Sequence, residues 1–138
     1  MPGVAIRSAI GAAALLLGTT VVISDAQAVE GGAAAVMIDD ASVLDRLPKG
    51  FPAIVVSDSL VALQRLAASW RDRLALKVVG ITGSSGKTST KEFTAAILSA
   101  RYQVVKTDGN LNNHIGVPLS ILQASTSDDA AVWEIGMN

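Results

Sequence analysis

Gly86, Lys87 and Thr88 close the stretch "ITGSSGKTST", Ile81 to Thr90, and these residue types in this order suit a phosphate-binding loop. Glycines at 83 and 86 let the backbone turn with its N–H groups pointing inward, and a helix starting behind them presents its positive end to an anion. The candidate nucleotide-binding segment runs from Gly83, Ser84, Ser85 and Gly86 into Lys87, Thr88 and Ser89. In such a loop Lys87 would reach the terminal phosphates as a point charge, and the Thr88 hydroxyl would ligate Mg²⁺ beside them. The generic pattern has glycine where this sequence has Ile81, so the loop alone names a nucleotide user and no reaction. A glycine/serine turn with an exposed lysine is the bland alternative.

Composition narrows the choices. At 138 residues, half of them apolar, the chain can bury a real core. The formal charge of −1 is dispersed and gives no electrostatic footprint for nucleic acid or an anionic membrane. Without cysteine there is no disulfide, thiolate metal site or thiol nucleophile, and a reducing compartment suits the chain. His114 is the single histidine, which excludes a multi-histidine metal site. At the amino-terminal end Arg7 precedes an uncharged run from Ser8 to Ser24, followed by Ala26-Gln27-Ala28, a signal-peptide outline. The run is short for a spanning helix, which takes about 20 apolar residues, and it also reads as a buried strand or helix.

From Asp25 onward, helix-like and strand-like segments alternate. "DAQAVEGGAA" predicts a short helix ended by Gly31-Gly32, and strands are expected at Ala34 to Ile38 and Ala53 to Val56. A helix capped by Ser57 or Asp58 carries Leu60, Leu63, Ala67, Trp70 and Leu74 as a core stripe. Leu76 to Thr82 is an apolar strand, and the glycine loop leads from it into a helix with Phe93, Ala96, Ile97 and Ala100 on one face. A strand at Gln103 to Thr107, a helix started near Pro118 and a strand at Ala130 to Gly136 complete the pattern. The fold class is therefore α/β, with parallel strands, flanking helices and the ligand at the strands' carboxyl ends. Two α/β units are expected, meeting near Arg73 to Lys77, with about three strands in the second.

Three words in order, "GITGSSGKTSTKE", "TDGNLNNHIGVPLSIL" and "AVWEIGMN", resemble the Mur ligase family. That family's loop is T-G-x-x-G-K-[ST], so the missing first glycine is its habit. The "GNLNNxIGVPL" element is similar to the family branch that adds D-Ala-D-Ala. The resemblance is weak from Ser24 and strong from Val78 onward. It divides the chain into a non-family leader at 1–23, the remainder of an amino-terminal UDP-substrate domain at 24–75, and the start of a central ATP-binding domain at 76–138.

The resemblance implies a reaction and a site. ATP phosphorylates the terminal carboxylate of UDP-MurNAc-tripeptide, and the amine of D-Ala-D-Ala attacks the acyl phosphate to form an amide. Lys87 and Glu134 are the implied catalytic residues, Thr88 and Glu134 the implied Mg²⁺ ligands, and Asn112 and Asn113 the implied substrate contacts. Asn110 divides between turn formation and contact, and His114 falls at the element's variable position. Trp133, inside an apolar strand, reads as core. The resemblance also implies parts beyond residue 138 that complete the metal sites and receive D-Ala-D-Ala, so the chain reads as an internal piece, inactive alone, of a cytoplasmic enzyme of peptidoglycan precursor synthesis. A non-catalytic Mg-ATP-binding module and a small exported protein are the alternatives.

Overall fold

Alternating apolar and amphipathic runs put strand and helix in turn along the chain. The computed structural model describes residues 13–15 and 33–136 and has two parallel sheets with flanking helices, the expected α/β class. The chain divides into two compact units, Met1–Leu63 and Gln64–Asn138. The helix predicted over "DAQAVEGGAA" and the small-x-small signal outline at 26–28 lie outside the described residues, apart from Ala33 and Ala34. No helix among the described residues is long and apolar enough to cross a membrane.

The first unit holds β1 (Ala13–Leu15), β2 (Ala35–Ile38), a 3-10 helix (Ala41–Arg46) and β3 (Ala53–Val55), with β2 between its two parallel neighbours. Val36 and Ile38 alternate onto the buried face and pack with Val43, Leu47, Phe51 and Ala53. Helix α1 (Ser59–Asp72) follows β3. Its start is set by Asp58, whose carboxylate accepts from Val61 N at 2.8 Å, which decides between the two candidate caps. Asp39, just past β2, adds a second tie by accepting from the Ser59 amide and hydroxyl at 3.1 and 2.6 Å.

The division between the units falls within α1. Leu63, Ala67, Trp70 and Leu74 are buried as the expected stripe, with Leu60 half-buried. Trp70 Nε1 donates to Ala124 O at 2.8 Å, which anchors the second half of α1 within the second unit.

In the second unit, β4 (Lys77–Ile81), α2 (Lys87–Ser99), β5 (Val104–Lys106), α3 (Gly116–Leu122) and β6 (Ala130–Glu134) follow in order. The strands lie β4-β6-β5, all parallel, so the last strand in sequence is the central one. All five residues of β6 are buried, Trp133 among them. The core between α2 and the sheet is Ile81, Ala95 and Val132, with Val79, Leu98 and Val104 around it.

The inward face of α2 is not the one that the apolar spacing predicts. Phe93 and Ile97 are 71% and 75% exposed, and Ala96 and Ala100 are exposed with them. The side of α2 turned to the sheet carries Lys91 and Ala95 instead. A lysine whose charge is met inside the fold occupies the inward face, so apolar counting alone selects the wrong side.

Close backbone approach fixes α3. A Cβ on Gly116 would lie 2.5 Å from the Leu111 carbonyl carbon and 2.6 Å from its Cα, both backbone atoms that cannot swing aside. Gly116→Ala is expected to destabilise the chain by about 2 kcal/mol, the scale of forced overpacking. Denaturant unfolding monitored by circular dichroism checks it, and an unchanged midpoint would contradict the close approach.

Candidate phosphate and cation site

The loop after β4 is built for a tight reversal. Gly83 and Gly86 have φ of 140° and 75°, a region that side chains with a Cβ rarely adopt. Gly86 is the capping residue of α2 and offers no side chain, so no side-chain hydrogen bond closes the helix's amino end. That leaves a helix of 13 residues with its positive end facing the loop. The Lys87 ammonium curls back and donates to Gly83 O at 2.7 Å, directly over the turn. The Thr90 hydroxyl donates to Gly86 O at 2.9 Å and reinforces the first turn.

Strand register brings the carboxylate to the same place. Ile81, the last residue of β4, pairs with Glu134, the last residue of β6, so the side chain at 134 emerges beside the loop. Thr107 is buried at the end of β5, and its hydroxyl accepts from Glu134 N at 2.9 Å, which holds the strand end. Glu134 is 2% exposed. Its Oε1 accepts from Asn112 Nδ2 at 2.8 Å, and its Oε2 accepts from the Thr88 hydroxyl at 3.1 Å. Lys91 Nζ lies 3.6 Å from the same Oε2 and donates to Gly109 O at 3.0 Å.

These contacts decide the charge of the site. Burial works against a charged Glu134, but the Asn112 and Thr88 hydrogen bonds together with the nearby Lys91 and Lys87 charges outweigh it. The carboxyl is held below its ordinary range and stays ionised at neutral pH. An anionic carboxylate and a neutral hydroxyl meeting at one point are hard oxygen donors of the kind that suits Mg²⁺. Among the described residues no group of three or more His, Cys, Asp or Glu side chains could hold a metal ion.

The structure brings Lys87, Thr88, Glu134 and Asn112 together at the carboxyl ends of β4 and β6. Ser84, Ser85 and Ser89 are exposed around the turn. Asn113 is engaged differently, because its Oδ1 accepts from Ile115 N and Gly116 N at 3.1 and 2.8 Å and so caps α3. Asn110 is exposed, and its carbonyl accepts from Asn112 N at 2.8 Å within the turn. His114 is exposed, and its carbonyl accepts from Gln64 Nε2 at 3.3 Å. Lys91 and Thr107 were not singled out in the sequence. A signal for Lys91 existed, since it follows Thr88 by three positions and therefore shares the helix face turned to the cation site.

Residues 81–138 match the family model described as the Mur ligase middle domain. The UDP-N-acetylmuramoyl-tripeptide–D-alanyl-D-alanine ligase of Bacillus subtilis is 45% identical over 112 residues, 81% of this chain and 24% of that protein. A crystal structure of MurF from Acinetobacter baumannii superposes with a TM-score of 0.76 at 34% identity, covering 91% of this chain and 28% of that one. MurF ligase from Thermotoga maritima, crystallised in complex with ADP, gives 0.73 at 29% identity over 91% of this chain and 29% of that one. The chain thus spans about a quarter of the length of the curated relatives it matches.

Proposed function

Residues 81–138 belong to the Mur ligase family, and on that premise we propose that this chain supplies the Mg-ATP site of a ligase joining D-Ala-D-Ala to UDP-MurNAc-tripeptide. The observation that carries the reading is the Thr88 hydroxyl donating to a buried Glu134 carboxylate at 3.1 Å, at the start of the helix behind a glycine loop. Similarity to the B. subtilis ligase and to the ADP-bound T. maritima enzyme supports the substrates and the nucleotide.

In this reading the backbone N–H groups of Gly83 to Ser89 hold the ATP phosphates, and Lys87 leaves Gly83 O to reach the terminal ones. Thr88 and Glu134 hold Mg²⁺, with Asn112 fixing the carboxylate from its other oxygen. The metal, when bound, offsets charge on the transferred phosphoryl group. The tripeptide carboxylate takes that phosphoryl group from ATP, releasing ADP, and the amine of D-Ala-D-Ala then displaces phosphate to leave an amide. Asn112 and Asn113, in the loop after β5, are the proposed substrate contacts, Asn112 through the side-chain oxygen and Asn113 through the side-chain nitrogen that their bonds to Glu134 and to the start of α3 leave over. Both ATP and a UDP-linked substrate place the reaction in the cytoplasm.

Two measurements test the reading. Calorimetric titration of the 138-residue chain with ATP should show saturable, Mg²⁺-dependent binding that ADP competes away; no heat at millimolar nucleotide would reject the site. Depleting the gene product in its source cells should make UDP-MurNAc-tripeptide accumulate in the nucleotide pool measured by mass spectrometry. Accumulation of an earlier precursor in its place would reject the substrate assignment.

A further inference from the structure

Lys91 takes no part in the phosphate contacts described above, yet it is 1% exposed and its charge lies inside the cation site. Its ammonium donates to Gly109 O at 3.0 Å and stands 3.6 Å from Glu134 Oε2 and 3.6 Å from Glu92 Oε1. Glu92 is half exposed and is also paired with Lys106, so it does little to offset a charge buried at the strand ends. The Oε2 atom facing Lys91 is the same one that accepts from Thr88. The oxygen best placed to take a divalent cation is therefore already compensated by a fixed positive charge.

That charge cannot move out of the way easily. The side chain is buried against the sheet, and the backbone carbonyl of Gly109 holds its end. The Glu134 carboxylate faces the Lys91 ammonium at 3.6 Å, with the Lys87 charge also near, so the pocket has no net negative charge of its own, and a divalent cation entering it meets repulsion from Lys91 in a buried setting where screening is weak. No third carboxylate or imidazole stands near to offset this among the described residues. Phosphate oxygens arriving on the glycine loop would bring the missing negative charge.

We propose that Lys91 is an electrostatic gate that makes divalent-cation binding at Thr88 and Glu134 conditional on nucleotide. It opposes the metal in the free protein, and the phosphates reverse the balance, so metal and nucleotide enter together. Through Gly109 it also positions the loop that carries Asn112. This inference rests on the Mg-ATP reading of the site.

Mn²⁺ binding to the full chain without nucleotide, followed by electron paramagnetic resonance, tests it with a readout separate from turnover. Lys91→Met keeps the stem length and removes the charge, and it should bind Mn²⁺ about tenfold or more tighter than the native chain. Lys91→Arg should stay within about threefold of native, and adding Glu134→Gln to Lys91→Met should abolish the gain. A purely structural lysine would lower the stability of Lys91→Met without raising its metal affinity, and that outcome overturns the gate. If Lys91→Met does not fold, the native chain decides: a nucleotide-free Mn²⁺ site tighter than about 1 mM overturns the proposal, and a weaker one is the result expected. ATP binding by the native chain is titrated in parallel with Mg²⁺ present. Its absence overturns the functional reading and the gate together, whereas ATP binding with equal Mn²⁺ affinities overturns the gate alone.

Discussion

Lys87→Ala should weaken ATP binding by about 30-fold to 100-fold, the loss of a charged contact of about 2 to 3 kcal/mol. The side chain is half-buried and its bond to Gly83 O at 2.7 Å closes over the turn without entering the core. Folding should therefore be little affected, with an unfolding midpoint close to that of the native chain. Titration calorimetry on both proteins separates the two effects. Affinity within about threefold of native would mean that Lys87 does not reach the phosphates.

Glu134→Gln should act on folding and on metal at once. The replacement keeps the shape of the side chain and leaves the Lys91 ammonium, 3.6 Å away and 1% exposed, without its buried anionic partner and with only the half-exposed Glu92 near. Breaking a buried pair from one side costs about 3 kcal/mol, a large part of the stability of a small domain. Mg²⁺ should then no longer strengthen ATP binding, and nucleotide affinity should equal that measured with chelator. Acid titration of the native chain gives a further check. The folded carboxyl lies below its reference value of 4.5, so its contribution is fully present above that value and is lost as pH falls through the lower folded one. Glu134→Gln should flatten this acid limb of the stability profile, and an unchanged limb would assign it to other carboxylates.

How much of this was legible in the chain depends on how far apart the partners lie. The turn at Gly83 and Gly86, the start of α2 at Lys87 and the Asp58 cap of α1 are local, governed by backbone freedom and by a side chain reaching two or three residues ahead. Asn113 has a local role beside the proposed substrate contact, and residue type alone does not separate the two. Its oxygen caps α3, a local role that asparagine fills as readily as contact with a ligand. The outward turn of Phe93 and Ile97 could not be read from spacing, because the choice of inward face depends on what the opposing strand offers.

By itself the sequence determined the α/β alternation, the glycine loop between strand and helix, and the residue types available for phosphate and metal. Tertiary structure alone decided that β6 inserts between β4 and β5, that Glu134 ends level with Ile81, and that Lys91 points inward to meet it. The physical reason is that helix starts and turns are settled by energies between near neighbours in the chain. The order of parallel strands and the pairing of buried charges are settled by groups 18 to 46 positions apart, as between Lys91 and Gly109 or Thr88 and Glu134, which only the folded sheet brings within reach.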